Sequence, residues 1–343
     1  MGSNEKANLI QYLSEAWSGR NTETPLHASH AVKTKDIVTF GPSCSRGNRT
    51  RYFLKVQDGC NYYCTYCTIP YARGNSRNGS IASLVEQAEQ AAREGGKEIV
   101  ITGVNIGDFG RTTGEKFIDL VKALDQVKGI ERFRISSIEP DLLTDDIIEY
   151  CSHSRAFMPH FHIPLQSGSD AVLGLMHRRY DTSLFAHKIN LIKKLIPDCF
   201  IGVDVIVGTR GVTDDLFEES FHVIESLDIT QLHVFPYSER PGTAALKIPH
   251  VVDDKTKKMR SKRLLALSDE KTEAFYAAHI GKTAVALCEK SRQGMPMHGF
   301  TDNYIRVELS PRQTSEDYDN KLIKVVLGDF NHDRTSLKAE FDG

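Results

Sequence analysis

Short apolar, β-branched runs alternate with amphipathic segments through the middle of the chain. The runs fall at 52–56, 98–102, 132–136, 160–165, 201–207 and 231–236, each of strand length. Helical-period stretches interleave with them at 81–94, 117–126, 144–152, 183–195, 214–226 and 255–279, the first behind Ser80 as an N-cap. Six β-then-α units in order predict an α/β fold with a parallel sheet and right-handed crossovers. The pattern alone suits both an incomplete barrel and an open, doubly wound sheet. The flanks read differently. Leu9, Tyr12, Leu13 and Trp17 predict a short helix, and 18–45, rich in Thr, Ser, Gly and His, predicts a linker. After Ile280, stretches 283–288, 303–309 and 322–327 alternate like strands of a small antiparallel barrel, with turns at Gly294, Pro296, Gly299 and Pro311.

Composition narrows the class. A length of 343 residues suits two domains, or a barrel with an appendage, and 40% hydrophobic residues supply a core. The sequence has no apolar run of transmembrane length and no secretory h-region near Met1. Seven cysteines without an export signal predict reduced thiols and a cytoplasmic protein. The net charge of −2 does not announce a nucleic-acid binder, so any RNA contact must come from a local patch.

The candidate chemistry lies in Cys60, Cys64 and Cys67, a C-x-x-x-C-x-x-C run directly after the first strand. A [4Fe–4S] cluster takes four ligands, usually thiolates, so three leave one iron open. Structural zinc instead wants a closed set of four, and no further Cys or His near this loop offers the fourth. Ligands of parallel β/α folds bind beyond the carboxyl ends of the strands, which places this loop at the mouth of the fold.

The spacing resembles that of the radical S-adenosylmethionine (SAM) enzymes, and an ordered set of further stretches resembles their methylthiotransferase branch. These are 51–60 (RYFLKVQDGC), 69–74 (IPYARG) with Ser76 and Arg77, 100–105 (VITGVN), 134–140 (RISSIEP), 162–169 (HIPLQSGS), 204–208 (DVIVG) and 235–243 (FPYSERPGT). The resemblance covers about residues 45 to 343. Within the branch the chain looks most like the enzymes that methylthiolate N6-threonylcarbamoyladenosine next to the tRNA anticodon. It implies a partial (β/α)6 radical SAM barrel over 49–279 and a TRAM-like, RNA-binding β domain over 280–343, with 1–48 the remnant of an N-terminal domain and a linker. It also implies that SAM chelates the open iron and that one electron splits it to a 5′-deoxyadenosyl radical. A flavodoxin or ferredoxin would deliver that electron, and the tRNA anticodon stem-loop would be the partner.

Polar or glycine residues at the strand ends are the candidate SAM ligands: Tyr66 beside the adenine, Thr102 and Gly103 near the amine, then Ser137, Glu139, Gln166 and Asp204 around the mouth. Arg178 and Arg179 can take a SAM carboxylate or a tRNA phosphate in bidentate fashion, or cap a solvated helix end. His160 and His162 alternate on one strand and read as core or pocket residues, lacking a third metal ligand nearby. The remaining cysteines, Cys44, Cys151, Cys199 and Cys288, read as inert thiols. Arg210 stands where many relatives carry proline. The run 255–263 holds six cations on a predicted helix, suited to an RNA backbone or simply to solvent. From Gly281 onward nine Lys and Arg face ten Asp and Glu, not the footprint of an RNA binder.

Methylthiotransferases of this type carry three more cysteines, for a second [4Fe–4S] cluster, in an N-terminal domain; residues 1–43 here contain none. The expectation is a truncated enzyme that cleaves SAM but does not complete sulfur insertion. Two other readings stay open: a methylthiotransferase acting on a ribosomal protein aspartate, and a non-catalytic RNA-binding module built on structural zinc.

Overall fold

The computed structural model describes residues 37, 39–45, 50–291, 295–310 and 318–342. The helix expected around Leu9 to Trp17 lies outside them, as does most of the expected linker. The linker's last residues are not coil: Ser43–Ser45 (β1) pairs antiparallel with Tyr52–Lys55 (β2) and covers the sheet's first edge. An edge strand left bare would expose unpaired N–H and C=O groups.

Six strands then run parallel in strict chain order. β2 pairs with Glu98–Thr102 (β5), which pairs with Arg132–Ile135 (β6); His160–Gln166 (β7), Phe200–Val207 (β8) and Gln231–Pro236 (β9) form the second half. A short hairpin of Gln57–Asp58 (β3) and Arg77–Asn78 (β4) lies between β2 and the next helix. The halves join through two isolated bridges, Phe133 to Phe157 and Ser137 to His162. A doubly wound sheet reverses its strand order at a switch point. None of the described strands does so, and β9 pairs with neither β1 nor β2. The sheet is therefore an incomplete barrel.

The helices follow the strands outside it. Ile69–Arg73 (α1) is a short turn in the loop after β3; Ile81–Arg93 (α2), Phe117–Asp125 (α3), Asp145–His153 (α4), Asp170–Leu175 (α5), Thr182–Leu195 (α6), Asp214–Ser226 (α7) and Asp254–Ala277 (α8) follow. Several begin at side-chain caps: Ser80 accepts from the Ser83 N–H, Asp181 from Leu184, Thr213 from Leu216 and Asp253 from Thr256. Between helices and sheet lies one core, with Leu54, Ile99, Ile101, Phe133, Ile163 and Val203 almost wholly buried.

The small C-terminal barrel closes with Thr283–Cys288 (β10), Met297–Thr301 (β11), Arg306–Leu309 (β12), Leu322–Phe330 (β13) and Leu337–Phe341 (β14). It is not wholly antiparallel, because β12 and β14 run parallel. Its core of Ile305, Val307, Leu309, Val325 and Leu337 takes in Tyr276 from α8.

This small barrel plugs the amino-terminal end of the large one, opposite the cysteine loop. Glu98, fully buried at the start of β5, accepts from Arg134 at 2.9 and 3.3 Å. Arg134 also donates to the Asp302 and Thr301 carbonyls at 2.7 and 2.8 Å, and Arg132 to Phe300 and Val285 at 3.0 and 2.6 Å. Burial pushes the Arg132 guanidinium down to about 10, with Arg134 beside it adding to the shift. Tyr304 receives the Arg51 guanidinium at 3.1 Å and packs on His160, ring centres 4.5 Å apart. Removing one partner of such a buried network strands the others. Glu98→Gln is expected to destabilise the chain by about 3–5 kcal/mol, read by urea unfolding. A loss below about 1 kcal/mol would show that the carbonyl contacts hold the plug without the carboxylate.

Candidate active site

The loop after β3 is tightly constrained. Gly59 sits at φ 74°, and a Cβ there would meet the Asn75 carbonyl oxygen at 2.0 Å. The Cys60 N–H donates to Gly74 O at 3.1 Å, closing the loop on itself. Asp58 beneath it would be raised by burial, but Lys55 at 2.9 Å and Arg77 at 3.2 Å bring its carboxyl below the usual range.

Gln57, fully buried, fixes this loop to the end of β5. Its Oε1 accepts from the Val104 and Asn105 N–H groups at 3.0 and 2.8 Å, and its Nε2 donates to Gly59 O at 2.7 Å and Ser76 Oγ at 2.9 Å. Gly103 lies at this junction, where a Cβ would come within 2.7 Å of Ile106 Cγ2 and 3.0 Å of Gln57 O. Close approach explains the glycine.

Each cysteine of the loop has its own donor. Cys60 Sγ accepts from the Tyr62 N–H at 3.4 Å, with Asn105 Nδ2 at 3.9 Å; Cys67 Sγ accepts from the Ile69 N–H at 3.4 Å. Cys64 Sγ accepts from Arg178 Nη1 at 3.1 Å. Burial pushes all three thiols above their usual value, and a metal that coordinates them removes the proton outright. Among the described residues no group of three His, Cys, Asp or Glu side chains is gathered as a single ion requires. The three thiols are near enough to act on one another, and each has a hydrogen-bond donor of the kind that tunes an iron–sulfur cluster. Two buried amide oxygens nearby on strand ends, Asn105 Oδ1 and Gln166 Oε1, lack a protein partner. The residues present thus fit a cluster with a polar ligand over it.

Arg178 is the hub. It ion-pairs with Glu139, reaches Cys64, comes to 3.4 Å from Tyr66 Oη and 3.1 Å from Tyr180 Oη, and lies over the Tyr180 ring. Its neighbour Arg179 points elsewhere, stacking on Tyr62 at 4.0 Å and donating to Asn61 O at 3.0 Å on the outer side of the loop. Of the two arginines suggested by the sequence, the buried one joins the cysteines. Gln57, Asn105 and the particular role of Arg178 escaped the sequence reading.

The other strand-end residues are spread around the mouth. Gln166 ends β7 at φ 69°, a left-handed conformation costly for a residue with a Cβ, beside a register shift against β8. Asp204 faces the barrel interior and holds His162 Nε2 at 2.7 Å; His233 stacks on His162 with centres 4.9 Å apart. His160 is instead core, against Phe200 and Tyr304. Thr102 Oγ1 turns to the Leu54 carbonyl at 3.3 Å, and Ser137 is exposed at the seam bridging to His162. Beside Cys67 opens a cavity of about 320 Å³, lined by Tyr66, Ile69, Phe235, Tyr237 and Arg240. Of the remaining cysteines, Cys151, Cys199 and Cys288 are buried and Cys44 lies on β1. In the basic run, Arg260 is buried against Asp214 at 2.7 Å, Arg263 pairs with Glu218 and Lys257 lies 3.4 Å from Asp254, so three of its six cations are paired with carboxylates. Arg210 is held by Glu239 at 2.7 Å.

An incomplete barrel with three loop cysteines at its carboxyl end defines a radical SAM protein. The family model for the radical SAM superfamily matches residues 54–224. The chain is 39% identical to threonylcarbamoyladenosine tRNA methylthiotransferase MtaB of Bacillus subtilis, over 95% of this chain and 72% of that protein. It is 32% identical to the protein of the same name from Aquifex aeolicus, over 95% and 77%. It is also 32% identical to the tRNA-2-methylthio-N(6)-dimethylallyladenosine synthase of Acetivibrio thermocellus, over 71% and 51%. Among solved structures, coproporphyrinogen III oxidase of Escherichia coli, a radical SAM enzyme, is similar at 16% identity and a TM-score of 0.47, over 64% of this chain and 52% of that one. The chain belongs to the radical SAM tRNA methylthiotransferase family, whose members are transferases that use SAM and a [4Fe–4S] cluster. The zinc-based, non-catalytic reading is thereby set aside. Among the described residues no helix is long and apolar enough to cross a membrane.

Burial raises the Glu139 carboxyl to about 7, against the pull of Arg178. A carboxyl held above its unfolded value favours the folded chain while protonated, and that contribution is lost as pH rises through about 7. Glu139→Gln stays neutral, so the iron-free variant is expected to gain Tm relative to the parent from about pH 5 to about pH 8. A difference constant over that range would mean that Arg178 fully offsets the burial.

Proposed function

We propose that this chain is the SAM-cleaving core of an enzyme that adds a methylthio group at C2 of N6-threonylcarbamoyladenosine, next to the anticodon of tRNA. The observation that carries the reading is the Cys64–Arg178–Glu139 chain at the mouth of the barrel. It joins a proposed cluster ligand to a half-buried carboxyl beyond the end of the third parallel strand. The relatives named for threonylcarbamoyladenosine tRNA support this nucleoside over a ribosomal protein aspartate.

Cys60, Cys64 and Cys67 would hold three irons of a [4Fe–4S] cluster. When bound, the cluster supplies the electron that splits SAM. The protein's part is orientation. Gln57 and Gly103 set the loop against β5, so that backbone groups approach the methionine amine closely. Asn105 Oδ1 and Gln166 Oε1 offer acceptors to amine or ribose hydroxyl protons. Tyr66 packs beside the adenine, Glu139 and Arg178 hold complementary charge, and Asp204 with His162 lines the interior below. Thr102 and Ser137 bound the same mouth, while Arg179 serves the outer rim. Residues 49–279 would be the catalytic domain, 280–343 the appended barrel and 1–48 a lead-in segment. We place the protein in the cytoplasm, where its thiols stay reduced and a flavodoxin or ferredoxin is at hand.

Cys44 lies on the edge strand, and Cys151, Cys199 and Cys288 are buried, with Cys151 and Cys199 near enough to interact as a pair but not as the three thiolates of a cluster. A second cluster therefore has no ligand set among this chain's own cysteines, and the chain alone would cleave SAM without inserting sulfur. The test is anaerobic reconstitution with iron and sulfide, reduction, and EPR with and without SAM. A [4Fe–4S] signal that changes shape on adding SAM, and is lost in Cys64→Ala, is expected. A signal indifferent to SAM would overturn the reading, and methylthiolated tRNA formed by this chain alone would overturn the single-cluster assignment.

A further inference from the structure

Large side chains stand exposed where the proposed site opens. Tyr63 (47% exposed), Tyr71 (60%), Val104 and Phe235 (52%) lie at or beyond the carboxyl ends of strands. Tyr63 and Tyr71 meet edge to face, with centres 5.9 Å apart. Tyr63 holds φ 52°, a left-handed conformation that disfavours any residue with a Cβ. Tyr71 rides on α1, whose first residue Ile69 lines the cavity beside Cys67; Phe235 lines its far wall. The cavity is thus flanked by aromatic rings facing solvent.

Two cations on this rim are uncommitted. Arg240 is exposed and lines the same cavity, and among the described residues it has no carboxylate partner. The adjacent carboxylate, Glu239, is taken by Arg210. Arg179 is likewise exposed and without a carboxylate partner among the described residues, while nearby Asp141 is held by Tyr62. Exposed aromatics interleaved with uncommitted arginines match the chemistry of single-stranded nucleic acid, whose bases stack on rings and whose phosphates seek guanidinium groups. The C-terminal barrel has no such excess of cations, since its charges balance, and it plugs the opposite end of the large barrel.

We propose that the rim formed by Tyr63, Tyr71, Phe235, Arg179 and Arg240 grips the single-stranded anticodon loop. Bases flanking the target stack on the rings, and their phosphates lie on the arginines, so that the target base is held over the cavity. This rests on the tRNA substrate proposed above and assigns the grip on the loop to the cluster side of the large barrel.

The test is fluorescence anisotropy of this chain with a labelled anticodon stem-loop, against a duplex of the same stem without a loop. The wild type is expected to prefer the stem-loop. Tyr71→Ala and Tyr63→Ala should weaken it at least about fivefold, and Tyr71→Trp should retain it. Arg240→Gln should lower the slope of log affinity against log salt by about 0.7. Lys324→Gln and Lys338→Gln, on the small barrel, should change little, and Tm values check that every variant is folded. If the wild type prefers the stem-loop and the rim variants bind like it, the rim assignment fails while the tRNA reading stands. Rim variants that keep RNA affinity but alter sedimentation would assign the patch to a protein contact and overturn the proposal. No preference for the stem-loop in the wild type would overturn both.

Discussion

Arg134 carries a constraint on which the rest of the molecule depends. Six parallel strands in chain order curve toward a barrel but stop short of closing, and the seam between β6 and β7 has only two bridges. An incomplete barrel has an interior open at both ends. The carboxyl end must stay open if the cysteine loop and the strand-end residues work there as proposed. The amino end must be shut, and Arg134 shuts it by satisfying Glu98 with one side of its guanidinium and two carbonyls of the small barrel with the other. The appended domain thus acts first as the floor of the catalytic one. Tyr304, between Arg51, Arg134 and His160, seals the same floor with aromatic surface.

The site above is built by long-range ties rather than by the motif alone. The cysteine loop is placed by Gln57, whose side chain bonds residues 47 and 48 positions away. Arg178 reaches Cys64 across 114 residues. Each tie crosses from one strand end to another, so the mouth holds its shape only while the strands keep their order. Gln166, held in a left-handed conformation at a register shift, marks where that order is locally given up to place a polar side chain.

Much of this was legible in the sequence. The six strands fall within a residue or so of expectation, because each apolar run is short and bounded by turn or cap residues. The cysteine spacing announced the chemistry. Two strands of the small barrel escaped for physical reasons. Met297–Thr301 contains Gly299, read as a turn residue, yet a Cβ there would strike Leu287 O at 2.6 Å, so the glycine serves close strand packing. Leu337–Phe341 alternates with Lys338 and Glu340 and is too polar to stand out. Arg178 and Arg179 cannot be told apart by composition, because only tertiary packing decides which of two adjacent side chains turns inward. Gln57 carries no local signal at all, since its partners lie on another strand.

The hydrogen bonds around Arg178 bear on what happens when iron is lost. Losing the proposed cluster would disturb only one of the guanidinium's acceptors, the Cys64 sulfur, since Glu139 and Tyr180 would still occupy it. The loop carrying Cys60 is likewise pinned by backbone and amide bonds that involve no metal. On the proposed reading, a loop tied in this way would keep its form without iron, so that oxygen damage to the inorganic core would be an injury from which the polypeptide could be recharged rather than one that commits it to unfolding.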